Sequence, residues 1–147
     1  MNRRRNPTTW AETIVASRPT EPEVATETMA KLYSAFADMK AGGSDGETFD
    51  RLASAVNVGM IRAEEIDPVC VQPMLAARDA LIHADEIMGR HRRYGFDGPG
   101  LQAMAAGLEV YEEILRNSTP NQMAEAARES RRRMQRQVAQ EATGEKA

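Results

Sequence analysis

At three places past the first 22 residues a proline follows a residue suited to opening a helix: Asp67–Pro68, Gly98–Pro99 and Thr119–Pro120. Proline is tolerated at the first helical position, where its missing N–H is one of the unpaired donors anyway. Inside a helix or a central strand it is disruptive. After each of these prolines, apolar residues recur three and four apart, the period of a helix with one buried face. The chain is thereby cut into helical segments of about 18–26 residues joined by short turns. Consecutive helices joined this way become antiparallel neighbours.

Composition supports the same reading. Aromatic residues are only 5% of the chain, and its apolar supply is mostly Ala, Leu, Val and nine Met. Ala, Leu and Met favour helix, whereas the β-branched and aromatic residues that favour strands are scarce. The 147 residues suffice for one domain with its own core. The expected fold is all-α, a compact bundle of four or five helices built from antiparallel hairpins, spanning 23–140. Residues 141–147 read as a frayed tail.

The segments follow in order. Over Glu23–Ala41, Val24, Ala25, Leu32, Ala35, Phe36 and Met39 share a face, and "AGGSDG" (41–46) ends the helix. Over Thr48–Glu65 the stripe is Phe49, Leu52, Ala53, Val56, Met60 and Ala63. Val58 and Ile61 lie off it, as a second core contact or a patch for a partner. The third helix is expected over Pro68–Arg93, with Pro73 bending it or delaying its start. It carries two apolar faces, Leu75 and Ile82 forming the second, which predicts a central place in the bundle with Arg78 and Asp85 half-buried and paired, for instance with charges from other helices. The fourth helix, Pro99–Asn117, has a seven-residue rhythm of Leu101, Met104, Leu108, Tyr111 and Leu115. In the fifth, 120–140, Thr119 and Gln122 fit a capping box, and the apolar seam is narrow: Met123, Ala127, Met134 and Val138.

The first 22 residues hold three prolines and few apolar groups. They read as a flexible arm with one short helical piece over 9–17, where Thr9 and Glu12 fit a capping box and Trp10 and Ile14 share a face. The basic start lacks the apolar run of a secretory signal, and no stretch approaches the roughly 18 apolar residues of a membrane span. One cysteine, Cys70, allows no internal disulfide. The expectation is a cytoplasmic protein that does not enter a membrane.

Residues that could carry catalysis are sparse. His83 and His91 are too far apart for metal-binding helix spacing, and the adjacent carboxylates Glu64–Glu65 and Glu112–Glu113 lack the Glu-x-x-His pattern of di-metal bundles. Cys70 has no base nominated beside it. The expectation is no enzyme and no cofactor. Charge is uneven: residues 24–89 carry 11 acids and five bases, whereas 90–147 carry eight acids and ten bases. Nucleic-acid binding through Arg3, Arg4, Arg5, Arg128, Arg131, Arg132, Arg133 and Arg136 is therefore an alternative. The net charge of −3 argues against it as the main role. "LASAVNVGMIRAEEIDPV" fails as a helix-turn-helix, because its second helix would run through Asp67–Pro68. Protein binding leads, with Trp10, Ile14, Val58, Ile61, Met123 and Met134 as candidate contacts and a homo-oligomer through the last helix as one form.

The densest local signal is "RHRRYGFDGPGLQAM", 90–104. Gly95 fits a left-handed helix cap, Phe96 a hydrophobic cover and Gly98 an N-cap before Pro99. Asp97 has no evident role in this scheme. The N–H groups of Gly98 and Gly100, beside three arginines, could alternatively hold an anion. "GFDGPGLQA" followed by "LEVYEEILRNSTPNQM" resembles a group of small helical proteins encoded by phages, plasmids and prophages of proteobacteria. In that group a similar run, Trp or Tyr, Gly, an aromatic or aliphatic residue, then Asp–Gly–Pro–Gly–Leu–Gln, joins two helices. The likeness reaches loosely from Phe49 to Met123. It implies an accessory protein of a mobile element with a host or phage protein as partner.

Overall fold

The computed structural model describes residues 18–144. Over that range the chain is a bundle of five helices: α1 (Pro22–Lys40), α2 (Gly46–Ile66), α3 (Val71–His91), α4 (Gly98–Arg116) and α5 (Pro120–Ala142). A single 3-10 turn, Pro68–Cys70, precedes α3. No strand occurs among the described residues. The all-α expectation and all five helical segments stand.

Local chemistry explains the boundaries. Asp45 caps α2 by accepting from the Glu47 N–H at 2.9 Å. α1 ends where Gly42 adopts φ +85°, a left-handed conformation that glycine takes without steric cost. Asp67 caps the 3-10 turn through the Val69 N–H at 3.0 Å. The α-helix proper then starts at Val71, so Pro73 falls in its first turn, where no intrahelical donor is lost. Pro73 thus accompanies a delayed start.

The α3–α4 joint differs from expectation in two places. The left-handed residue is Arg92 (φ 61°), not Gly95, and the helix stops at His91. Gly95 instead lies beside the Ile87 side chain. The N-cap of α4 is Asp97, not Gly98: its Oδ1 accepts from the Gly100 N–H at 2.7 Å. A methyl group at Gly100 would stand 2.9 Å from that oxygen, so capping carboxylate and glycine go together. Asp97 therefore has a required role, and its carboxylate fills the place that a bound anion would take at this helix start.

The joint also organises one end of the core. Phe49 stacks on Tyr94 at 5.0 Å between ring centroids, and Phe96 meets Phe36 edge-on at 5.5 Å. The Tyr94 N–H donates to the Gly43 carbonyl at 3.0 Å, tying this joint to the α1–α2 turn. Burial, together with nearby Asp85, Asp50 and Asp45, pushes the Tyr94 hydroxyl pKa up.

Helix α2, not α3, is central: it touches all four other helices. Small residues allow close approach there. A Cβ on Gly59 would stand 2.8 Å from both Met74 and Tyr111 side chains, so this glycine is a packing contact inside a continuous helix. Gly107 similarly brings α4 onto α3, with Ala77 only 2.5 Å from where its Cβ would be. Of the second apolar face expected on α3, Leu75 is half-buried and Ile82 is 51% exposed. Arg78 is half-buried as expected, but Asp85 is exposed, and neither forms an ion pair with another helix among the described residues. Met39, Leu52, Met74, Met104 and Leu108 are the largest fully buried apolar side chains.

Candidate interaction surface

Helix α5 is the element least absorbed by the core, and the way it is anchored defines the surface it presents. Its start has the expected capping box. The Gln122 N–H donates to Thr119 Oγ1 at 3.1 Å, and Gln122 Oε1 accepts from the Thr119 N–H at 2.9 Å. Just before it, Ser118 is fully buried (0% exposed) and its hydroxyl donates to the Ile114 carbonyl at 2.6 Å. Arg62, 5% exposed, donates to Ser118 Oγ at 3.1 Å and to Glu65 at 2.8 Å. The Ser118 carbonyl accepts from both the backbone and the hydroxyl of Thr20, at 3.0 and 2.9 Å. This polar knot holds α2, the α4–α5 joint and the segment before α1 together. A buried guanidinium in such a place is costly unless its donors are satisfied, and here hydroxyl and carboxylate oxygens satisfy them.

The sequence reading missed the knot. Its only signals were an arginine directly after the apolar pair Met60–Ile61 and a serine just before the Thr119–Pro120 start. Neither shows from the sequence alone that the two meet.

Beyond the knot, α5 splits into two halves. Over its first half, Ala126 and Ser130 are buried and Met123 and Ala127 partly so, packed on Val58 and Ile61 of α2. Val58 and Ile61 are thus a second core contact beneath α5 and are not open to a partner. From Arg131 to Gly144 every residue is exposed. Met134 is 56% exposed and Val138 62%. The seam that docks the first half continues into solvent along the second.

The arginines of this helix are largely held by carboxylates. Arg128 and Arg132 pair with Glu125 at 2.6 and 3.4 Å. Arg132, Arg133 and Arg136 pair with Glu129 at 3.0, 3.3 and 3.1 Å, and Arg133 also reaches Glu64 of α2 at 3.0 Å. Hydrogen bonds from these arginines, Arg128 first for Glu125 and Arg132 first for Glu129, hold both carboxyl pKa values below the usual range. Arg131 makes no ion pair among the described residues. The alternative nucleic-acid surface is therefore a ladder of alternating charge more than a free cationic stripe. Arg3, Arg4, Arg5, Trp10 and Ile14 lie outside the described residues.

Beside Met134, a cleft of about 280 Å³ opens between α2, α3 and α5, lined by Met60, Ile61, Arg78, Arg133 and Met134 among others. Arg78 Nε is buried there without a hydrogen-bond partner, its nearest carboxylate being Asp79 at 3.9 Å. At the other joint, His83 lies 3.8 Å from Asp97 and 3.6 Å from Glu86. No group of three or more His, Cys, Asp or Glu among the described residues is placed to hold a metal ion. No helix among them is long and apolar enough to cross a membrane. No protein-family model, curated protein or solved structure matches the chain.

Proposed function

We propose that this chain is a non-enzymatic protein-binding accessory protein, of the kind that phages and plasmids encode, which acts by engaging and regulating a host or phage protein. The observation that carries this reading is the exposed second half of α5. An apolar seam that is satisfied against α2 up to Ser130 runs on through Met134 and Val138 with no described residue covering it. Exposed methionine adapts well to a partner surface. The uncovered Ile82 of α3 and the cleft around Arg78 add further surface with unsatisfied apolar and hydrogen-bonding capacity. The likeness of Phe49–Met123 to mobile-element proteins supports the setting.

The test is affinity capture from proteobacterial lysate, with and without nuclease treatment, using wild-type chain and a Met134→Glu/Val138→Glu variant as baits. A protein retained by the wild type and lost by the variant, whose helicity is unchanged by circular dichroism, is the expected result. Retention that both baits share would remove the α5 seam from the binding surface. Retention that disappears with nuclease treatment would point to nucleic acid instead.

A further inference from the structure

The free end of α5 carries a pattern that fits another copy of itself. Ala124, Ala127, Arg131, Met134, Val138 and Glu141 follow one another at alternating steps of three and four. That is the spacing by which two helices pair along a common seam. At about 100° per residue, the last four lie within an arc of about 80°. They stand to one side of Ala126 and Ser130, which face α2. Ala127 of this stripe packs on Val58 and Ile61, but from Arg131 on every residue is exposed, so a second helix can lie along the last four.

Charge selects the direction. In an antiparallel pair centred near Arg136, Met134 of one copy meets Val138 of the other, and Arg131 meets Glu141. In a parallel pair, Arg131 would face Arg131 and Glu141 would face Glu141. Among the described residues, Arg131 has no ion-pair partner, and the only side-chain contact of Glu141 is an amide hydrogen bond from Gln137 at 3.4 Å. The other four arginines of the helix are already held by Glu125, Glu129 or Glu64. The two charges left over are thus the two that this register brings together, once on each side of the twofold axis.

We propose that α5 is a self-association element: two copies of the chain pair antiparallel through Met134 and Val138, with Arg131 of each copy against Glu141 of the other. This rests on the protein-binding reading of the same surface: a second copy covers the seam when the host or phage partner is absent. An interface of four residues per copy is of the small, transient class, so half-association is expected on the order of 100 µM.

Sedimentation velocity of the full chain across that concentration range tests it. The weight-average mass is expected to climb from 16.2 kDa towards twice that value. Arg131→Glu and Glu141→Arg should each hold the chain monomeric, and the double variant Arg131→Glu/Glu141→Arg should restore association. In a Cys70→Ser background, oxidising an equal mixture of Met134→Cys and Val138→Cys chains should give more mixed disulfide than either like pair. A chain that stays monomeric throughout overturns the proposal, as does association indifferent to both charge reversals. If the wild type stays monomeric while its lysate partner is still lost on Met134→Glu/Val138→Glu substitution, the self-pairing fails and the protein-binding reading stands.

Discussion

Helices α4 and α5 both start with a proline behind a side-chain cap, Asp97 for one and Thr119 for the other, yet α4 buries seven residues and α5 two. Start signals are local and equally sound in both. What separates them is stripe width. In α4 the Leu101–Leu115 rhythm is flanked by Ala103, Val110 and Ile114, and small Gly107 lets α3 approach closely. In α5 a seam about one residue wide, bordered by arginine and glutamate, fits against α2 for about three turns and then runs past it. Helical content is thus no guide to how much an element contributes to the core.

The largest effect expected from this contrast is in α4. Leu108→Ala should lower unfolding free energy by about 2–5 kcal/mol in urea titrations, since the side chain is fully buried. Gly107→Ala should cost about 1–3 kcal/mol even though alanine favours helix, because its methyl would meet Ala77. Pairing it with Ala77→Gly should recover part of that loss, and strictly additive costs would mean that the two do not touch.

Next comes the hinge between the two helices. Ser118→Ala should cost about 1–3 kcal/mol, because it leaves the buried Arg62 Nε without its acceptor. On the far half of α5, Val138→Ser measured in dilute solution should change stability by less than about 0.5 kcal/mol. A cost near that of Leu108→Ala would show the free half to be covered within the monomer.

The smallest expected effect is electrostatic. Glu125 and Glu129 have pKa values held below 4.5 by their arginines, so the stabilisation they give is present above that pH and lost as pH falls through their lowered values. Both carboxylates lie on an exposed ladder, where such pairs contribute little. NMR titration should place both midpoints below 4.5, with helical Cα shifts over 125–136 weakening only below that pH. Midpoints at or above 4.5 would mean that the ladder does not persist in solution.

Much of this was legible in the sequence where the cause is local. The five helical segments, the Thr119–Gln122 capping box and Asp67 as a cap all follow from neighbouring residues, whereas Phe96 packs on Phe36, far away in the chain. Asp97 is the instructive exception: in Asp–Gly–Pro–Gly the residue before proline reads as the cap, but the cap lies one position earlier, where a carboxylate can reach the Gly100 N–H. Gly95 was assigned the left-handed conformation on residue type alone, while Arg92 adopts it at the actual helix end.

The order of helices within the bundle was not legible. Two apolar stripes on the third helix suggested a central position, but centrality depends on which faces can approach closely, and Gly59 gives that to α2. Val58 and Ile61 could have been core or surface until α5 was seen lying on them. The candidate surface followed the same division. Periodicity alone picked out Met134 on a narrow seam. The ion pairs that occupy four of the five arginines on α5 depend on side-chain reach, and in Glu64 on a residue far away in the chain.

What the sequence determined by itself was the alphabet of the fold: five helical segments, their bounds to within a few residues, and no competing strand among the described residues. Backbone propensity, capping and proline geometry act over a few residues, and the order of residues fully states them. Only the tertiary structure decided that α2 lies at the centre, that Arg62 and Ser118 meet in a buried knot, and that half of α5 stands free. Those outcomes depend on the fit of surfaces distant in sequence, where a single missing Cβ decides which helices can touch.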